Sequence, residues 1–236
     1  MFEEDRIQTS AGELKMTFVG HGTLIFTFPR SRPASRDGGG TESGKVFHVD
    51  PYSRLADYEA LPKADVILIT HSHGDHFDPK AIAAVRKEGT AVVLTEKAAE
   101  GMPGGIVMRN GETRTVAGIK IEAVPAYNLV HKRPTGEPFH PRGEGNGYVL
   151  TFGATRVYAA GDTEDIPEMK DLKDIAIAFL PMNLPYTMSP EMAAHAAHAF
   201  RPKILYPYHY GETDPDELTR LLAGEKGIEV RIRRMK

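Results

Sequence analysis

Short apolar runs, each stopped by glycine, proline or aspartate, set the rhythm of this chain. Residues 14–20 and 23–28 read as strands joined by a turn at Gly20-His21-Gly22. Residues 31–44 are polar with four glycines and read as a flexible loop between strands, since strand text resumes at 45–49. Residues 65–70 (DVILIT) form a continuous apolar run of buried-strand type. Asp78-Pro79 then has the form of a helix start, with Gly89 as its stop, and 92–95 reads as the next strand. The second half repeats this order. Strands are expected at 148–152, 156–160, 175–180 and 203–207, with a helix opened by Ser189-Pro190 running to Phe200. Asp214-Pro215-Asp216-Glu217 resembles a capping box, and 227–233 reads as a last alternating strand. Strand-rich halves with helices between strands predict two stacked sheets covered by helices, an α/β architecture.

Composition narrows the chemistry. The 236 residues contain no Cys, which removes disulfides, thiolate-bound zinc, Fe–S clusters and a Cys nucleophile. A net charge of −3 supplies no broad basic field, so nucleic acid is not the expected partner. The last six residues hold four cations and are expected to be a solvated end. Every apolar run is too short to cross a membrane, and the acidic start Met1-Phe2-Glu3-Glu4-Asp5 lacks a secretory core, so the expected compartment is the cytoplasm. No linker-like segment divides the chain, and one domain over residues 1–236 is expected.

The ten His residues are unevenly spread, and three of them fall in one six-residue segment: His71-Ser72-His73-Gly74-Asp75-His76. On an extended backbone His71 and His73 point to the same side. Gly74 permits a sharp turn that lets Asp75 and His76 face a second point nearby. Neutral imidazole and carboxylate are ligands for zinc and similar divalent ions, and unligated imidazoles so close together repel one another once protonated.

That segment resembles the HxHxDH signature of the metallo-β-lactamase superfamily. Val19-Gly20-His21-Gly22, Val49-Asp50-Pro51, Ala160-Gly161-Asp162-Thr163 and Tyr208-His209-Tyr210-Gly211 resemble further spaced segments of its metal-dependent hydrolase branch. That branch includes L-ascorbate-6-phosphate lactonase and N-acyl phosphatidylethanolamine phospholipase D. The resemblance implies a four-layer αββα sandwich with two divalent ions, zinc first and Mn, Fe or Ni as alternatives. It further implies one ion on His71, His73 and a third His, a second on Asp75, His76 and His209, and Asp162 between them. Asp75 and Asp162 supply the catalytic carboxylates, and a metal-held hydroxide is the implied nucleophile on an ester, lactone or phosphodiester of a small or lipid-like substrate. The third His is absent from its usual place after Pro125. His140, stiffened by flanking prolines, is the first candidate and His131 the second, and the third alternative is that neither binds and the first site is weak or empty; the loop 126–147 that carries both is a candidate active-site loop.

Other residues stay open. Asp50 reads as an orienter of a ligand His or as a turn residue, and His21 as a strand-end residue or a site contact. His48 is expected to pack, and His195 and His198 to lie on a solvated helix face. Tyr186 reads as a packed aromatic or as a donor to a substrate oxyanion. Lys132, Arg133 and Arg142 are candidate receivers of a substrate phosphate or carboxylate. Competing readings are an RNA-processing nuclease of the same fold and a metal-binding protein without activity. β-Lactam hydrolysis is disfavoured because many such enzymes use a Cys ligand. Homo-oligomerisation is compatible with everything in the sequence.

Overall fold

Residues 2–29 and 44–236 are described in the computed structural model of this chain. Apart from Gly44, the expected 31–44 loop lies outside the described residues.

These residues form two seven-stranded sheets. The first runs in chain order through β1 (Glu3–Thr9), β2 (Gly12–Gly20), β3 (Thr23–Phe28), β4 (Lys45–Val49), β5 (Val66–Leu68), β6 (Ala91–Leu94) and β7 (Ile106–Val107). Pairing is antiparallel from β1 to β4 and parallel from β4 to β7. The second sheet repeats that plan. β8 (Thr113–Val116), β9 (Ile119–Ala126), β10 (Gly145–Phe152) and β11 (Thr155–Ala159) pair antiparallel. β12 (Ile175–Pro181), β13 (Ile204–Tyr208) and β14 (Glu229–Val230) add in parallel. The repeated rhythm of the sequence is therefore a repeated topology.

Parallel neighbours need long crossovers, and helices supply them. α1 (Pro79–Val85) and α2 (Glu96–Ala99) serve the first sheet, α3 (Pro190–Phe200) and α4 (Pro215–Leu221) the second. Asp78, Ser189 and Asp214 cap α1, α3 and α4, each accepting from backbone N–H groups of the first turn, with proline next in line. α1 ends at Val85, earlier than the Gly89 stop expected. Arg86 is already extended, and the Thr90 hydroxyl takes the Lys87 N–H to close a separate turn.

Phe18, Phe26, Phe28 and Phe47 of the first sheet face Phe152, Phe179 and Tyr206 of the second, with ring centroids 5.1–6.2 Å apart. Burying each such side chain is worth about 1.5–3 kcal/mol, so this layer holds the two sheets together. On the outer side of the first sheet, Ile67, Ile69, Val92 and Leu94 pack on Ala81, Ile82 and Val85 of α1. On the second, Phe200 of α3 meets Tyr158 edge-on. The result is the four-layer αββα sandwich. No helix among the described residues is long and apolar enough to cross a membrane.

The C-terminal expectation is corrected. Only Glu229–Val230 is strand, and the basic tail is docked instead of solvated. Arg233 grips both oxygens of Asp5 at 2.8 Å, and Met235 is fully buried. Arg231, Arg233 and Arg234 find carboxylate partners in β1, Asp5 and Glu3, that no local pattern announces.

Candidate metal centre

Parallel strands end on one edge of each sheet, and their C-terminal ends place side chains in a shared crevice. β5 runs out into Thr70 and His71, and β4, its parallel neighbour, ends just before Asp50. Asp50 is buried and takes the Thr70 N–H at 2.8 Å, the Thr70 hydroxyl at 2.6 Å and His76 Nδ1 at 2.8 Å. The turn after His71 is fixed by the His73 carbonyl, which accepts from His76 N and Phe77 N. Asp162 follows β11, where the Tyr208 hydroxyl accepts from Gly161 N at 2.8 Å. His209 follows β13, and His21 follows β2.

These strand ends bring three overlapping donor groups together: His71, His73 and His140; His21, Asp75, His76 and His209; and His71, His76 and Asp162. Within each group the ligand atoms lie within 4.8 Å of one another. Asp162 links the groups, with Oδ2 3.3 Å from His140 Nε2 and 3.5 Å from His209 Nε2, and Oδ1 3.5 Å from His76 Nε2. Asp75 Oδ2 lies 2.9 Å from His21 Nε2 and 3.6 Å from His76 Nε2.

The electrostatics fit a cation. Burial raises both Asp75 and Asp162, but the imidazoles around them outweigh it and hold both carboxyls well below the usual range. Burial pushes His71 well below its ordinary value, so its ring is neutral and ready to ligate. Burial also lowers His76, but Asp162 and Asp50 overcome it and raise this ring. Two buried atoms, His71 Nε2 and Asp162 Oδ1, have no hydrogen-bond partner. An unpaired buried polar atom costs about 1–3 kcal/mol, and a bound divalent cation would satisfy both. The all-imidazole and carboxylate donor set suits zinc and related ions.

Residues 40–209 match the family described as the beta-lactamase superfamily domain. A UPF0173 metal-dependent hydrolase of Rubrobacter xylanophilus is 30% identical over 98% of this chain and 97% of its own. Another, from Thermococcus onnurineus, is 34% identical over 90% of this chain and 93% of its own. The chain belongs to the UPF0173 metal-dependent hydrolases of the beta-lactamase superfamily. A solved Parabacteroides distasonis protein assigned to the metal-dependent hydrolases matches this UPF0173 chain end to end, with 51% identity and a TM-score of 0.89. A metallo hydrolase of Ignicoccus hospitalis, 24% identical over 93% of this chain and 94% of its own, shares the fold with a TM-score of 0.71.

In this UPF0173 hydrolase the structure separates the two candidates for the third His. His140 enters the group with His71 and His73, whereas His131 turns away to Glu164 Oε1 at 2.6 Å. The loop between β9 and β10 spans 127–144, shorter than the 126–147 expected, because Ala126 and Gly145 are already paired strand residues. Asn128 sets its shape. Its Oδ1 accepts from His140 N at 2.9 Å and lies 2.7 Å from His140 Nδ1, while its Nδ2 donates to Glu164 and to the Tyr186 carbonyl. Buried Glu164 also collects the N–H groups of Leu129, Val130 and His131. Asn128 and Glu164 went unread in the sequence, since nothing local distinguishes them from loop residues.

Of the two readings of His21, the structure places it in the donor cluster, its ring 3.6 Å from that of His209. Asp50 sits behind His76 as an orienter. Tyr186 is 45% exposed and packs edge-on against Phe139. His48 is buried with Nε2 on the Pro62 carbonyl, and burial lowers it to about 4. His195 and His198 lie outside the donor groups and face Asp165 and Glu225. A cavity of about 350 Å³ opens on His73, Asp75, His140, Asp162 and His209, with Arg133, Phe139, Asn183 and Tyr186 as its other wall.

Proposed function

We propose that one domain over residues 1–236 holds two divalent ions, zinc first, and hydrolyses an ester, lactone or phosphodiester of a small or lipid-like molecule. The carrying observation is the junction at Asp162, whose Oδ2 lies 3.3 Å from His140 Nε2 of one donor group and 3.5 Å from His209 Nε2 of the other, while His71 Nε2 stands buried and unpaired. His71, His73 and His140 would hold one ion, and Asp75, His76 and His209 the other, with Asp162 shared. The ions would polarise the scissile carbonyl or phosphoryl oxygen and acidify a water.

The chain's own residues do the rest. Asp75 and Asp162 carry the negative charge that two neighbouring dications require between them. Asp50 takes His76 Nδ1 and Asn128 takes His140 Nδ1, which leaves each Nε2 facing the cluster. His21, 2.9 Å from Asp75, fixes that carboxylate from the open side. The cavity of about 350 Å³ suits a small substrate.

Metal analysis after gentle purification is expected to return about two ions per chain. Asp162→Asn is expected to abolish turnover of bis(p-nitrophenyl) phosphate or a lactone with an unchanged circular dichroism spectrum. Wild-type rates in that variant would remove Asp162 from the mechanism.

A further inference from the structure

Three cations lie on the loop that delivers His140, and the structure gives them different surroundings. Arg142 is spent: Nη2 lies 2.7 Å from Glu168 and its guanidinium covers the Tyr127 ring. Lys132 does not line the cavity. Arg133 does, and among the described residues it has no carboxylate within ion-pair distance. It is also held in place. Its N–H donates to the Glu137 carbonyl at 2.7 Å, and its carbonyl accepts from Gly136 N at 2.8 Å, closing a tight turn. Nη2 donates to the Phe139 carbonyl at 3.3 Å, and Cζ stands 5.2 Å over the Phe139 ring. A guanidinium laid on an aromatic face is partly stripped of water and keeps donors free, a good receiver for a carboxylate or phosphate.

The wall beside it is apolar. Phe139 meets Tyr186 edge-on at 5.0 Å. Among the described residues, four of the five exposed large apolar side chains (Leu129, Val130, Leu184 and Tyr186) lie on the two loops flanking this cavity. Asn128 Nδ2 ties those loops together through the Tyr186 carbonyl at 2.9 Å. Apolar groups gathered beside a polar cleft mark a surface that binds something.

We propose that Arg133 receives an anionic group of the substrate. The substrate class is then a small molecule that carries a carboxylate or phosphate separate from the bond hydrolysed, joined to it by an apolar portion lying on Phe139 and Tyr186. This rests on the hydrolase reading of the cluster and adds to it a specificity determinant outside the metal ligands.

The test uses metal-loaded protein and calorimetric titration with two probe series. One is ω-phosphonocarboxylates with two to six methylenes; the other is alkylphosphonates of matched length, which lack the second anion. At least one spacer length is expected to bind about tenfold or more tighter than its alkyl partner, as a charge-assisted bidentate contact would give. Arg133→Ala is expected to erase that margin while alkylphosphonate affinity stays within about threefold, and Arg133→Lys to restore part of it. Replacing the carboxylate by a second phosphonate tells which anion is preferred, and a margin with either supports the proposal. No margin at any spacer length, or a margin that survives Arg133→Ala, overturns it. A failure of the hydrolase reading looks different: alkylphosphonates then bind metal-stripped protein as tightly as loaded protein, whatever stands at position 133. Thermal unfolding of each variant confirms that it is folded.

Discussion

His21, Asp50 and His209 share a backbone conformation that side chains rarely adopt, with φ of 50°, 45° and 46°. Each such residue costs about 1–3 kcal/mol and persists only where its surroundings over-determine it. Here the surroundings are visible. The His209 N–H donates to the His21 carbonyl at 3.0 Å, and the Asp50 N–H to the Leu68 carbonyl at 2.9 Å. The strain turns the chain sharply at strand ends so that imidazole and carboxylate face inward. His140 reaches the same cluster without strain of its own, because Asn128 takes both its N–H and its Nδ1. Asn128→Ala should therefore lower the affinity of the His71–His73–His140 group for zinc by about 10–100-fold. Chelator competition followed in the cobalt-substituted protein measures this, since the d–d spectrum reports the ligand set. An unaltered spectrum and affinity would show that His140 does not depend on Asn128.

At the scale of elements, what could be read from sequence depended on where each strand lies. β3, β4, β5, β12 and β13 are central, carry continuous apolar text, and were legible. β1 was not: EEDRIQT opens on four charged residues in a row, at a sheet edge where it pairs only with β2, and only Glu4 and Arg6 of the four are exposed, while Asp5 turns in. β8 is the other sheet's edge and was missed for the same reason. β10 begins in Gly145-Asn146-Gly147, which reads as loop but is strand. Its glycines answer to crowding. A Cβ on Gly145 would stand 2.8 Å from the Ala126 carbonyl, and one on Gly147 would stand 2.8 Å from the Ala160 carbonyl and 2.9 Å from the Tyr158 ring. No spacing rule carries that information, since the crowding atoms arrive from β9, from β11 and from Ala160 just beyond it. Gly147→Ala is expected to destabilise the fold by about 1–3 kcal/mol, lowering Tm by roughly 3–10 °C. Scanning calorimetry of the two proteins decides it, and an unchanged Tm would mean that the neighbouring strands yield freely.

At the scale of the molecule the HxHxDH segment stood out by its own clustered chemistry, whereas Asp162 and His209 could be picked out only through the family resemblance of the segments that carry them. The closure of one half on the other could not. Asp5 meets Tyr206 and Arg233 across 201 and 228 positions of chain, contacts no local pattern encodes. Burial raises the Asp5 carboxyl, but the Tyr206 hydroxyl and the Arg233 and Arg231 guanidinium groups outweigh it and hold it below the usual range. Folding thus favours the ionised form. The resulting stability is fully present above the unfolded-state value of about 4 and is lost as pH falls from there through the lower folded-state value. Asp5→Asn should cost about 1–3 kcal/mol at pH 7, the range for hydrogen bonds to a charged group. The gap between wild type and variant should hold down to about pH 5 and close as the carboxyl protonates below about pH 4. Urea unfolding of both metal-free proteins across that range measures it, since bound metal would add a proton-linked contribution of its own. A gap that stays constant or widens on acidification would mean that Asp5 stabilises the closure through packing and not through its charge.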